Sequence, residues 1–107
     1  MKRGDLATVA LQGDLGKPRT ALVIQSDLFS DHPSVAVLPV TSTLQAAPLF
    51  RIGIEPDARN GLRQPSQVMV DKMQAVPRSR VGPVFGRVDD ATMLAVGRAQ
   101  AVFVALA

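Results

Sequence analysis

"GKPRTALVIQSD", Gly16 to Asp27, is the stretch on which the fold turns. Its centre, Ala21-Leu22-Val23-Ile24, is a short apolar run, and it reads as a buried β-strand. The start of the run is unusual. Lys17-Pro18-Arg19 puts a ring-locked backbone and two charges where a core strand begins. Proline cannot donate to a ladder, so it belongs at the first residue of a strand or at an edge. Arg19 is therefore carried on the end of a rigid element, with its guanidinium at the rim.

Working outward, similar short Val-rich runs alternate with Gly, Pro and Asp punctuation. Strands are predicted over residues 6–11, 20–25, 35–39 (extending to Thr41), 49–54, 68–71, 73–76 and 84–88. Pro39 predicts that the third strand bends or lies at an edge. Residues 12–18 read as a glycine-bearing polar loop, and residues 55–67 hold an Asn60-Gly61 turn signal. From Asp89 onward the texture changes to "DDATMLAVGRAQAVFVALA", rich in alanine and free of proline. Asp89 or Asp90 caps a helix start and suits its dipole. This helix is apolar nearly all round, which a surface helix is not. In so small a domain its outer side calls for a second copy, so a homodimer is predicted. The expected class is mainly β with a C-terminal helix: a small, strongly bent β-barrel with the helix against it, in one domain over residues 1–107.

The composition excludes several functions. There are no cysteines, hence no disulfides and no thiolate metal site, and a reducing, cytoplasmic setting is expected. No apolar run reaches the ~18 residues of a membrane span. The single histidine, His32, has no His or Cys companion, so no metal site is expected. No Gly-x-Ser-x-Gly elbow and no phosphate-cradling G-x-x-x-x-G-K-[ST] pattern occurs. The net charge is +3, the basic excess comes mainly from arginine, and Trp and Tyr are absent. A polyanionic partner is favoured on arginine chemistry, and a solvated basic surface explains the same charge. Stacking platforms for bases are not expected from so few aromatics.

What remains is a set of polar groups at the mouths of apolar strands: Arg19, the Thr41-Ser42-Thr43 end of "PVTST", and Asp71. Taken singly they also read as a surface ion pair, a strand-end cap and a turn. Converging, they suit phosphodiester transfer. RNA carries its own nucleophile in the 2′-hydroxyl, and an enzyme need only align it and stabilise the growing charge. Arginine donates two parallel hydrogen bonds to phosphate oxygens.

In order along the chain come "RGDLATVAL", "GKPRTALVIQSD", "VAVLPVTST", "QPSQVMVDKMQAV" and "GRVDDATMLAVGRA". This set resembles the MazF/PemK-type toxins of bacterial type II toxin–antitoxin systems over nearly the whole chain. The resemblance implies an SH3-like barrel and a homodimer. It also implies metal-independent, cofactor-free cleavage of single-stranded RNA at short sequences, and inhibition by a cognate antitoxin. By it, Arg19 falls on the family's catalytic arginine and Thr41 on its catalytic threonine. Asp71 falls on an acidic position that some relatives use, although those relatives place an arginine where this chain has Met69. Lys17, Pro18, Ser42, Thr43, Arg59, Arg63 and Gln67 are the expected RNA contacts, and a solvated turn accounts equally well for Arg59 and Arg63. The Gly13–Gly16 loop is expected to close over RNA or to be displaced by antitoxin. Two alternatives stand beside this reading. One is a CcdB-like gyrase poison of the same fold, which relies on a Trp-Gly-Ile terminus where this chain ends Val104-Ala105-Leu106-Ala107. The other is a non-catalytic barrel that only binds.

Overall fold

The 16–27 stretch does form a central strand. In the computed structural model, which describes residues 1–11 and 17–106, β2 spans Pro18–Val23. It begins on the proline, where no ladder donor is required. The other strands are β1 (Asp5–Ala10), β3 (Ser34–Thr41), β4 (Arg51–Ile54), β5 (Ser66–Met69), β6 (Gln74–Pro77) and β7 (Val81–Arg87). The predicted helix is α1, Asp90–Phe103, and Asp89 is its N-cap, accepting the Thr92 N–H at 2.7 Å. The predicted loop over residues 12–18 lies mostly outside the described residues, and Gly13–Gly16 entirely so.

The strands make one antiparallel sheet in the order β4-β5-β3-β2-β1-β7, with β6 also paired to β3. It bends as a small barrel does and keeps β4 and β7 as the ends of its path. Bulges between Leu6 and Val9 supply part of that bend. β5 and β6 run along one side of β3 in succession, β6 against Ser34 to Val37 and β5 against Val40 and Thr41. A 3-10 turn, Val70–Lys72, shifts the register between them. Pro39 was expected at a bend or an edge. It is instead buried inside β3, paired with Ala21, in the gap between the β6 and β5 ladders. A residue without an N–H costs the sheet least at such a gap.

Strand alternation sorts the core into two clusters. On one face Leu6, Leu22, Leu38, Val68 and Ile54 pack with Val96 and Ala99 of α1. On the other, Val9, Leu11, Ala21, Val23, Val35, Val37 and Val76 form a second cluster. Both faces of β2 and β3 are thus buried, which is why these strands read as continuous apolar runs. Only Val96 and Ala99 of α1 are buried, whereas Leu94, Val102 and Phe103 are more than half exposed. Among the described residues no helix is long and apolar enough to cross a membrane.

Candidate nucleic-acid groove

The second core cluster opens at the end of the sheet where β2 starts and β3 stops. β2 and β3 pair as Ala21↔Pro39, Leu22↔Leu38 and Val23↔Val37. Two residues further out, that register reaches Arg19 on β2 and Thr41 on β3. Side chains alternate along a strand, so Arg19 shares a face with Ala21 and Val23, and Thr41 with Val37 and Val35. Both therefore lie on the face of the second cluster, at its rim. There they line a single groove of about 770 Å³, together with Leu11, Pro18, Ser42, Thr43 and Arg63.

Each side of the groove has a local cause. The Thr41 Oγ1 accepts the Thr43 N–H at 3.0 Å, which turns the chain sharply off the end of β3. The loop that follows is strapped to the sheet. Gln67 on β5 accepts the Gln45 N–H at 3.0 Å through Oε1 and returns an Nε2–H to the Gln45 carbonyl at 3.0 Å. Arg51 on β4 donates from Nη1 to the Thr43 carbonyl and to Gln67 Oε1, each at 3.3 Å.

The far wall is the segment from Glu55 to Gln64, pinned by Asn60, which is 1% exposed. Asn60 Oδ1 accepts the backbone N–H groups of Asp57 and Leu62, and its Nδ2 donates to the Glu55 carbonyl at 2.8 Å. The Asn60-Gly61 pair is a turn signal in the sequence. Gly61 does take a positive φ of 67°, and the asparagine is the buried knot that shapes the wall. The wall lies flush on β7. A Cβ at Gly86 would fall 2.0 Å from the Asn60 carbonyl oxygen, so only glycine fits there.

Of the residues singled out from sequence, Pro18, Arg19, Thr41, Ser42, Thr43 and Arg63 line the groove. The lining does not include Lys17, Arg59, Gln67 or Asp71. Lys17 is exposed immediately before β2. The Arg59 carbonyl accepts the Arg87 N–H at 2.9 Å, and its charge acts on Asp89 at the start of α1. Both amide atoms of Gln67 are engaged by the Gln45 backbone. Asp71 sits in the 3-10 turn between β5 and β6. One of its oxygens is 3.8 Å from the Lys72 ammonium, and the other is buried with no hydrogen-bond partner among the described residues.

Three groove features were not read from the sequence. Arg51 and Gln45 act through contacts between residues distant along the chain, which leave no local pattern. Phe85 also lines the groove, 40% exposed. A bulky ring in the glycine-flanked, solvent-facing run "GPVFGR" was the available sign of it.

As chemistry, the lining offers a guanidinium at each side, three adjacent hydroxyl side chains and several apolar surfaces. That set suits an extended polyanion bearing bases. Among the described residues no cluster of His, Cys, Asp or Glu could hold a metal ion.

Comparison with known proteins identifies the family and the fold. Residues 2–104 match the family described as PemK-like, MazF-like toxin of type II toxin–antitoxin system. The chain is 44% identical to a probable endoribonuclease MazF of Mycolicibacterium smegmatis, over 100% of this chain and 99% of that one. Among solved structures it is similar to the Mycobacterium tuberculosis toxin MazF-mt6, with 25% identity, a TM-score of 0.78, and 92% and 93% of the two chains covered. It shares its fold with a mycobacterial endoribonuclease solved in complex with its cognate antitoxin. There the TM-score is 0.83 at 20% identity, covering 100% and 97% of the two chains.

Proposed function

Because the chain belongs to the PemK-like, MazF-like toxins of type II toxin–antitoxin systems, we propose that it is an endoribonuclease that cuts single-stranded RNA without a metal ion and is held inactive by a cognate antitoxin. The observation that carries this reading is the meeting of Arg19 and Thr41 at one rim of one groove.

In the proposed reaction the substrate's 2′-oxygen attacks the adjacent phosphorus. A bond forms between O2′ and P, and the bond from P to the 5′-oxygen breaks. The 2′-hydroxyl proton is lost to water, and the departing 5′-oxygen takes one up. The products are a 2′,3′-cyclic phosphate and a 5′-hydroxyl. Arg19 holds the non-bridging oxygens as their charge grows, which is the step a preorganised donor accelerates most. The planar guanidinium forks onto phosphate oxygens and acts electrostatically. Thr41 orients the phosphate or the attacking hydroxyl, and Arg63 holds a neighbouring phosphate. Asp71 lies off the groove lining, so we assign it to the β5–β6 turn rather than to the reacting atoms.

We extend the reading to assembly. Leu94, Val102, Phe103, Val104 and Leu106 are exposed apolar residues along and beyond α1, which supports a homodimer through that side. A basic groove with a pI near 10.2 behind it suits an acidic antitoxin tail as well as RNA. A cytoplasmic setting follows from such a substrate.

The test is a digest of mixed RNA by the purified protein with and without chelator, with the new ends sequenced and their phosphates typed. Recurrent cut sites bearing 2′,3′-cyclic phosphate in both samples support the reading. Intact RNA, or cutting abolished by chelator, contradicts it.

A further inference from the structure

Phe85 has no assigned role, yet its placement is specific. The chain has four aromatic residues, all phenylalanine. Phe29 lies in a 3-10 turn, Phe50 packs on the core and Phe103 ends α1. Phe85 alone lines the groove that holds Arg19 and Thr41. One side of its ring is backed by the wall. A Cβ built on Gly61 would stand 3.3 Å from the Phe85 Cδ1 and 2.9 Å from its carbonyl oxygen. No larger residue could intervene there, and the positive φ of Gly61 independently favours glycine. The residue nevertheless stays 40% exposed. Burying a phenylalanine ring is normally worth more than leaving it wet. A ring that meets Gly61 of the wall and borders a cationic groove has the form of a stacking platform.

We propose that Phe85 stacks a nucleobase adjacent to the scissile phosphate and thereby sets part of the cleavage preference. This rests on the endoribonuclease reading of the groove. Every base has a π-face, so the ring selects by stacking strength, while Ser42, Thr43 and Gln64 in the same lining are placed to read base edges. Arg19 fixes the phosphate and Phe85 fixes the base beside it, so the sugar between them is aligned for attack.

The experiment is a cycle between protein and RNA. A short oligonucleotide containing a mapped cut site is prepared intact and with one abasic residue walked through the positions around that site. Wild type, Phe85→Leu and Phe85→Tyr are compared by kcat/KM, with a thermal melt of each variant. On the intact oligonucleotide, Phe85→Leu is expected to lose about 10- to 100-fold, the usual range for one base–aromatic stack. At one abasic position wild type falls by a similar factor, and Phe85→Leu falls no further. Phe85→Tyr, which keeps the ring, keeps the dependence on that base. Equal rates for wild type and Phe85→Leu overturn the inference. So does a Phe85→Leu loss that is the same at every abasic position. Wild type that cuts none of the oligonucleotides overturns the endoribonuclease reading itself, a different result from cleavage that ignores Phe85.

Discussion

Arg19 and Thr41 line one groove at the mouth of the sheet, each two residues beyond the antiparallel pair of Ala21 with Pro39. They are 22 positions apart in sequence and line the same groove. A one-residue slip of β2 against β3 would send Arg19 to the opposite face, so the buried valines of the second cluster also fix the site. The Thr41 hydroxyl orders Thr43, and in the proposed reaction it also meets the substrate. Thr41→Ser keeps the hydroxyl and is expected to retain most cleavage. Thr41→Val keeps the shape and is expected to lose about 10²-fold or more, as for loss of a positioned transition-state donor. Equal rates for the two variants would remove the hydroxyl from the mechanism.

The strap formed by Arg51 and Gln67 should govern the order of the loop after Thr41. Gln67→Leu removes both bonds to Gln45 and one acceptor of Arg51. Each lost bond is worth about 1 kcal/mol. Faster amide exchange over residues 42–50 and roughly a tenfold fall in cleavage are expected. Unchanged exchange would show that the loop is held by other contacts.

The wall predicts a sharp contrast between two glycines. Gly86→Ala drives a methyl into the Asn60 backbone, which lies 2.0 to 2.9 Å from the new carbon. Overpacking of this kind costs about 1–3 kcal/mol, a fall in Tm of about 4 °C or more in a chain of this size. At Gly53 nothing lies within 4 Å of the added carbon, and Gly53→Ala should leave Tm nearly unchanged. Comparable melts for the two variants would contradict the close wall–strand contact.

The cap of α1 gives the pH dependence a definite sign. Bonds from the Thr92 side chain and backbone hold the Asp89 carboxyl below its ordinary 3.8, and Arg59 adds to the effect. A carboxylate lowered on folding stabilises the folded chain above its ordinary value, and that stabilisation fades as the pH falls through the lowered one. Tm of the wild type should therefore fall with acidification below pH 3.8 more steeply than Tm of Asp89→Asn, which keeps an acceptor but cannot titrate. Parallel curves would discount the cap.

Some of this was legible in the chain and some was not, for physical reasons. A buried strand starting on Pro18-Arg19 and another ending in Thr41-Ser42-Thr43 follow from local patterns, so the pair at the groove's rim could be anticipated. Asp89 as a cap is equally local. Gln67 and Arg59 are expected from the sequence among the RNA contacts. The hydrogen bond of Gln67 to Gln45 spans 22 positions, and the pull of Arg59 on Asp89 spans 30, so only the fold reveals these interactions. Pro39 misled because a proline inside a central strand needs a gap between two ladders. The scarcity of aromatics hid Phe85, since one ring in the right place leaves almost no compositional trace.

The most direct measurement is single-turnover cleavage of a mapped RNA oligonucleotide by Arg19→Ala, with circular dichroism to establish that the variant folds as the wild type does. A folded variant slowed about 10²–10³-fold or more is the predicted result. Folded Arg19→Ala cutting the same bond at the wild-type rate would contradict the assignment of phosphate stabilisation to Arg19.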